Sequence, residues 1–227
     1  MMKKIDLKEI KKNEIKKKNV SDVGKSYDNL IKTYGNDSNK NFNKINKFTL
    51  TPVAKANKKY RFLKKYLRVK STLEVGPGSG RFFQNYKKRD FNYIGVEASS
   101  LFFLHLKKKF KNKKTKFLNL TYPFKKNNHK KKYDLVFSFS SIQEKSFYKI
   151  NSNFFIKKII NETYKILKAN GLFIFDFFNY DKVDFKEKHL VYLKEKNILF
   201  FSKKFRSCKI EYLFKKNNYE GIVILKK

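Results

Sequence analysis

The fold of this chain is decided by the stretch Thr72-Leu73-Glu74-Val75-Gly76-Pro77-Gly78-Ser79-Gly80. It begins as a buried strand pattern and ends with glycine at every second position. Because glycine lacks a Cβ atom, the backbone can turn sharply there and a ligand can approach it closely. The residues that follow, 81–88, can begin a helix whose unpaired N–H groups face that ligand. The stretch therefore predicts a ligand-binding turn between a strand and a helix.

The spacing of the glycines separates two nucleotide-binding families. A dinucleotide-binding fold requires G-x-G-x-x-G, and Arg81 occupies the place of the third glycine, which disfavours a dehydrogenase. The stretch instead resembles motif I of the class I S-adenosylmethionine-dependent methyltransferases, acidic-x-Gly-x-Gly-x-Gly, at Glu74, Gly76, Gly78 and Gly80. The resemblance implies that S-adenosylmethionine is the cofactor, with Glu74 near its ammonium group.

From Ser71 onward, strand patterns alternate with helical patterns, as in a mostly parallel sheet covered on both faces. Gly171 is expected to end the helix over 153–168 in the left-handed conformation. The resemblance implies a Rossmann-like α/β sandwich with seven strands, the last one antiparallel. The expected strands are 72–75, 93–97, 116–120, 133–139, 172–178, 208–214 and 221–225, the last two as a hairpin, and the expected helices are 81–88, 99–110, 153–168 and 197–207.

Three regions are expected along the chain. Residues 1–20 are rich in lysine and asparagine and are predicted to be a basic, solvated arm. Residues 21–70 are predicted to form a helical cap, with helices over about 27–34 and 52–67. Residues 71–227 are expected to form the S-adenosylmethionine-binding methyltransferase domain.

The chain is strongly basic, with 56 Lys+Arg against 19 Asp+Glu and a formal net charge of +37 over 227 residues. Such a charge suggests nucleic acid as a partner, and the densest lysine runs, 107–116 and 125–132, are the candidate RNA surface. A/T-rich codons offer a second explanation, since Phe and Tyr are abundant, Trp is absent, and the lysines lie along the whole chain. We favour the second explanation.

The cysteine and histidine content narrows the class of protein further. The single Cys208 rules out an internal disulfide and fits a reducing compartment. The histidines, His105, His129 and His189, lie far apart in sequence, so no metal site is expected. No apolar run approaches the ~20 residues that cross a bilayer. We expect a cytoplasmic protein without a membrane span, and its oligomeric state stays open.

Ligands of parallel sheets bind beyond the carboxyl ends of the strands. Glu97 ends the second strand, where the similar family carries an acid that binds both ribose hydroxyl groups. Asn119 ends the third, where the family has an aspartate for the adenine amino group, and its carbonyl oxygen can accept the same bond. The resemblance thus implies a set of cofactor-binding residues, which are Glu74, Gly76, Gly78, Gly80, Glu97, Asn119, Leu120 and Ser138.

Methyl transfer requires few catalytic groups, because the sulfonium is already a strong electrophile and the rate comes from positioning. No residue pair at a recognisable spacing supplies a base, and the candidates are Tyr27, Gln143, Glu144 and His189. The proline-rich motif of exocyclic amino methylation is absent after the fourth strand. We expect a small-molecule or biosynthetic-intermediate acceptor. An RNA methyltransferase and a non-catalytic cofactor-binding or scaffold subunit are the alternatives.

Overall fold

The structure is a computed structural model that describes residues 25, 27–29, 32, 53–86, 90–111, 113–124, 131–142, 152–183, 190–214 and 219–227. One large sheet runs through this part of the chain, with helices on both faces. The described residues of the segment 25–32 are helical as well, in agreement with the helix expected there.

The elements follow one another in the order that the sequence predicts. The helices are α1 (Val53–Lys64), α2 (Arg81–Tyr86), α3 (Ser100–Lys109), α4 (Ser152–Ile166) and α5 (Glu195–Phe201). The strands are β1 (Ser71–Val75), β2 (Asn92–Glu97), β3 (Thr115–Asn119), β4 (Tyr133–Ser138), β5 (Leu167–Asn179), β6 (Tyr192–Leu193), β7 (Ser207–Tyr212) and β8 (Glu220–Lys226).

The strand order is β3-β2-β1-β4-β5-β8-β7, with β6 paired to β5. The strands β1 to β5 are parallel, whereas β8 is antiparallel to both of its neighbours. The Rossmann-like fold is therefore confirmed, and the short β6 is one strand more than expected. The chain direction across the sheet reverses between β1 and β4, and in such sheets that point is where ligands bind.

The core has two layers, one on each face of the sheet. Ile156, Ile159 and Ile160 of α4 pack on one face and are 2% exposed or less. On the other face lie Leu63 of α1, together with α2 and α3. Successive residues of a strand point to opposite faces, so β1 contributes Leu73 to the α4 layer. These two layers hold the carboxyl ends of β1, β2 and β4 in fixed register.

Two expectations about helix ends were wrong. The left-handed residue after α4 is Asn170, with φ 61°, and not Gly171; both residues lie in the first part of β5. Asparagine tolerates this conformation better than most residues, so it can make the turn itself. The last helix ends at Phe201, with Ser202 as its C-cap, instead of continuing to Ser207, and the Arg206 N–H already donates to the carbonyl of Lys226 beside the pairing of β7 with β8.

Within the ranges given above, no helix has both the length and the apolar composition needed to cross a bilayer.

Candidate functional site

The turn after β1 is built on left-handed backbone. Gly76, Gly78 and Gly80 have φ values of 70°, 54° and 78°. Residues that carry a side chain rarely adopt such positive φ values, so the motif needs glycine at all three positions. The Gly76 N–H donates to the carbonyl of Val96 at 2.9 Å, which fastens the turn to β2.

The three glycines differ in what surrounds them. A Cβ atom at Gly76 would overlap Ser141 Oγ, and one at Gly80 would lie 2.8 Å from Leu106 and closer still to Phe110. Apart from its two neighbours in the chain, a Cβ atom at Gly78 would meet no atom of the described residues within 4 Å. Gly76 and Gly80 are therefore explained by packing within the protein. Gly78 borders open space, as the backbone of a ligand-binding loop would.

Glu97 lies at the carboxyl end of β2, directly beside this loop. Its carboxylate accepts the N–H groups of Gly78 and Ser99, both at 2.9 Å, although the residue is only 5% exposed. Burial raises the pKa of Glu97 to about 7, against the opposing effect of the N–H donors from Ser99 and Gly78. A buried carboxylate poised between its two protonation states is typical of a functional site.

Asn119 ends β3 at the same edge of the sheet. Its amide nitrogen donates to the carbonyl oxygens of Glu97 at 3.0 Å and Ala98 at 3.2 Å. This orientation directs the amide oxygen away from β2, where it accepts the Ser100 hydroxyl at 3.0 Å. The neighbouring Leu120 is 46% exposed and lies beside this amide in sequence. The third strand end thus presents an acceptor and an apolar side chain at one edge.

Two further candidates have buried positions. Glu74 is 1% exposed and accepts the Tyr93 hydroxyl at 2.5 Å. Ser138 is fully buried, and its hydroxyl donates to the carbonyl of Val75 at 3.1 Å, which ties the end of β4 to the end of β1. A direct contact of either side chain with the cofactor stays a prediction.

Asp28 is a neighbour of this site that the sequence did not single out. Its carboxylate accepts Ser99 Oγ at 2.5 Å, the Ser100 N–H at 3.2 Å and the Leu101 N–H at 3.0 Å. It therefore caps the first turn of α3 beside Glu97, and its charge contributes to the raised pKa of Glu97. An acid 71 residues before the cap leaves no local sequence signal.

A second cluster unforeseen from the sequence lies beneath the turn after β4. Lys59 of α1 contacts Asp176 of β5 at 2.5 Å and also contacts Glu220 of β8. All three residues are 3% exposed or less. One feature of the sequence could have pointed to this cluster, namely a charged residue at an apolar position. Lys59 lies between Ala56 and Leu63 on the buried stripe of α1.

The candidate bases of the sequence analysis are only partly described. Gln143, Glu144 and His189 lie outside the described residues. Tyr27 is described, and its ring packs against Phe102 with centroids 6.1 Å apart. Within the described residues, no group of three or more His, Cys, Asp or Glu could hold a metal ion.

A match to a known protein family identifies this arrangement. Residues 73–175 match a family described as "Methyltransferase domain". The chain carries a class I methyltransferase domain. The match begins within β1 and ends within β5, so it contains the glycine turn, Glu97 and Asn119. The cofactor of this class of domain is S-adenosylmethionine.

Solved structures agree on the fold. The N-methyltransferase NodS from Bradyrhizobium japonicum WM9 has a TM-score of 0.61 at 11% identity, covering 78% of this chain and 99% of that one. The CcbJ methyltransferase from Streptomyces caelestis has a TM-score of 0.60 at 12% identity, covering 77% and 90%. An S-adenosylmethionine-dependent methyltransferase from Clostridium acetobutylicum ATCC 824 has a TM-score of 0.57 at 16% identity, covering 83% and 98%. No curated protein matches the sequence.

The geometry of this methyltransferase domain fits its cofactor. Gly78 borders open space, and the Glu97 carboxylate lies one hydrogen bond from its backbone. The amide oxygen of Asn119 lies at the neighbouring strand end and accepts a hydrogen bond from the Ser100 hydroxyl, which can rotate away. A backbone loop, a carboxylate and an amide therefore lie along one edge of the sheet, as a ligand with amino-acid, ribose and adenine parts requires.

Proposed function

We propose that this methyltransferase domain transfers the methyl group of S-adenosylmethionine to a small molecule or biosynthetic intermediate. The observation that carries the proposal is the pairing of Gly78, which borders open space, with the buried Glu97 carboxylate at 2.9 Å. The bound cofactor supplies an electrophilic methyl group on its sulfonium. The protein needs to hold that group in line with the acceptor and to exclude water.

Each residue of the proposed cofactor site has a distinct task. The loop 76–80 approaches the amino-acid end of the cofactor through its backbone, with Glu74 behind it. The Glu97 carboxylate exchanges the N–H of Gly78 for the two ribose hydroxyl groups, which suit a carboxylate geometrically. The amide oxygen of Asn119 would accept a hydrogen bond from the adenine amino group, and Leu120 would offer an apolar surface to the ring. Ser138 holds the end of β4 against β1.

The positions of the lysines support a small acceptor over RNA. Lys107, Lys108 and Lys109 occupy the last turn of α3, which begins beside Glu97 and rises about 1.5 Å per residue away from it. Cations at a helix carboxyl terminus are stabilised by the helix dipole. These three lysines of the run 107–116 therefore have a structural explanation away from the cofactor edge. Residues 125–130 of the second run lie outside the described residues.

Similar structures provide analogies for the acceptor class. One is the N-methyltransferase NodS, and another is the magnesium protoporphyrin IX methyltransferase ChlM from Synechocystis PCC 6803. A porphyrin is a biosynthetic small molecule, which agrees with the proposed acceptor class. A cytoplasmic location is part of the same proposal, since the only cysteine is free.

A methyl-transfer assay tests this proposal. The purified protein and a Gly78→Val control are incubated with methyl-labelled S-adenosylmethionine and a cell extract separated into small molecules, RNA and protein. We expect the wild-type protein to place label in the small-molecule fraction and the Gly78→Val variant to place none. Label in RNA would replace the proposal with the RNA methyltransferase. Cofactor binding without label in any fraction would favour a non-catalytic subunit.

A further inference from the structure

We propose that the buried Lys59–Asp176–Glu220 cluster is a positioning device that presses the turn 138–141 against the cofactor loop. Its members come from α1, β5 and β8, so it joins the N-terminal helix to the sheet. The inference rests on the proposed cofactor site, and it names residues that would act on that site without touching the cofactor.

The first step of the argument is the bonding of the turn to Asp176. The Ser140 N–H donates to both Asp176 oxygens, at 2.9 and 3.0 Å, and the Ser140 hydroxyl lies 3.4 Å from one of them. Lys59 Nζ lies 3.3 Å from the same hydroxyl. Ser140 has a φ of 55°, an unfavourable conformation for serine that these bonds compensate.

The second step is the contact of that turn with the cofactor loop. Ser141 Oγ fills the space that a Cβ atom at Gly76 would need. Phe139 packs against Phe82 in the first turn of α2, with ring centroids 5.2 Å apart. Ser138 donates to the carbonyl just before Gly76. These three contacts, made by Ser138, Phe139 and Ser141, therefore fix the turn against both ends of the glycine loop.

The third step concerns charge. Two buried carboxylates repel each other, and Lys59 between them offsets that repulsion. Burial alone would lower the pKa of Lys59, but Asp176 and Glu220 raise it above its ordinary value, so the ammonium stays charged. Lys55 lies 3.4 Å from Glu220 and supplies a second cation at the rim. Burial raises the pKa of Asp176, whereas Lys59 and the Ser140 N–H oppose that effect and favour a carboxylate that accepts from the turn.

The sharpest test compares two aspartates with the same bonding. Asp134 accepts the N–H and hydroxyl of Ser71, both at 2.8 Å, and an ammonium from Lys168 at 3.0 Å. It lies near the amino end of β4, away from the cofactor loop. Asp176→Asn should weaken calorimetric binding of S-adenosylhomocysteine about tenfold, whereas Asp134→Asn should change it by less than about twofold.

Equal affinities of wild type and Asp176→Asn would overturn the inference while leaving the cofactor site intact. Absence of binding by the wild-type protein would overturn both proposals. Hydrogen exchange of the wild-type protein provides a test that does not depend on the folding of a variant. Binding of S-adenosylhomocysteine should protect peptides 137–142 and 174–178 together with the loop 76–80. Protection confined to the loop would contradict the coupling.

Discussion

Glu97 Oε2 accepts the backbone N–H of Gly78 at 2.9 Å, so the acid that ends β2 holds the middle of the glycine loop. The carboxylate is buried, and the site at which a Cβ atom of Gly78 would lie is open. One carboxylate can therefore exchange a backbone donor for ligand hydroxyl groups without any movement of the strand that carries it. This relationship governs the first three predictions.

The affinity for S-adenosylhomocysteine should increase with pH through the pKa of Glu97. Hydroxyl groups of a ribose donate to the ionised carboxylate, so binding requires loss of the proton that burial favours. With a pKa of about 7, the affinity should rise about tenfold from pH 6 to pH 8 and then level off. Calorimetric titration over this range measures it. Glu97→Gln should bind weakly, and its affinity should not rise over this range. Any titration of the ligand itself affects both proteins equally, so the variant controls for it.

Alanine at Gly78 and at Gly80 should have different consequences. Both positions have positive φ, so both variants lose about 1 kcal/mol to backbone strain. Gly80→Ala also crowds Leu106, which should add about 1–3 kcal/mol and lower the melting temperature. Gly78→Ala places its methyl group more than 4 Å from every described residue other than its chain neighbours, so it should lose cofactor affinity with a small change in melting temperature. Thermal unfolding and calorimetry together separate the two effects, and equal losses of stability would contradict the prediction.

Asp28→Asn should move the pH midpoint of cofactor binding to a lower value. The charge of Asp28 contributes to the raised pKa of Glu97, and the amide retains an acceptor for the N–H groups at the start of α3. The same pH series measures the shift. Asp90→Asn is the matched control, because Asp90 is exposed and pairs with Lys114, just before β3. A midpoint that stays at the wild-type pH would argue against the influence of Asp28.

Lys59→Met should destabilise the fold far more than Lys168→Met. The first substitution leaves Asp176 as an uncompensated buried charge and leaves Glu220 with Lys55 at its rim, a loss of about 3–5 kcal/mol. The second removes a partner of the half-exposed Asp134, and such pairs contribute about 0–1 kcal/mol. Urea unfolding measures both free energies. Similar midpoints for the two variants would show that the cluster contributes little to stability.

The sequence predicted the parts of this fold that depend on local pattern. The apolar run before Gly76, the alternation of strands and helices, and the acid at Glu97 are local signals, and each lies where expected. The helix end near Gly171 was misplaced because two adjacent residues, Asn170 and Gly171, can both take the left-handed conformation. The end of the last helix was misplaced because pairing of β7 with β8 begins the strand at Ser207.

The contacts that the sequence did not reveal are all long-range. Lys59 and Asp176 are 117 positions apart, and Asp28 and Ser99 are 71 apart. A single sequence carries no record of such pairs. Lys59 left only an indirect trace, namely a charged residue on an apolar stripe, and Asp28 left none. Buried charge at an apolar position is therefore the signal that would have pointed to the cluster beneath the turn 138–141.

The measurement that tests the central claim most directly is calorimetric titration of the wild-type protein and Glu97→Ala with S-adenosylhomocysteine. Asp134→Asn serves as a control for general loss of a structural carboxylate. We predict saturable binding by the wild-type and control proteins. The affinity of Glu97→Ala for S-adenosylhomocysteine should be at least about tenfold lower, which corresponds to the free energy of a hydrogen bond to a charged group. A folded wild-type protein that does not bind the ligand, or a Glu97→Ala variant that binds it equally well, would contradict the proposed site.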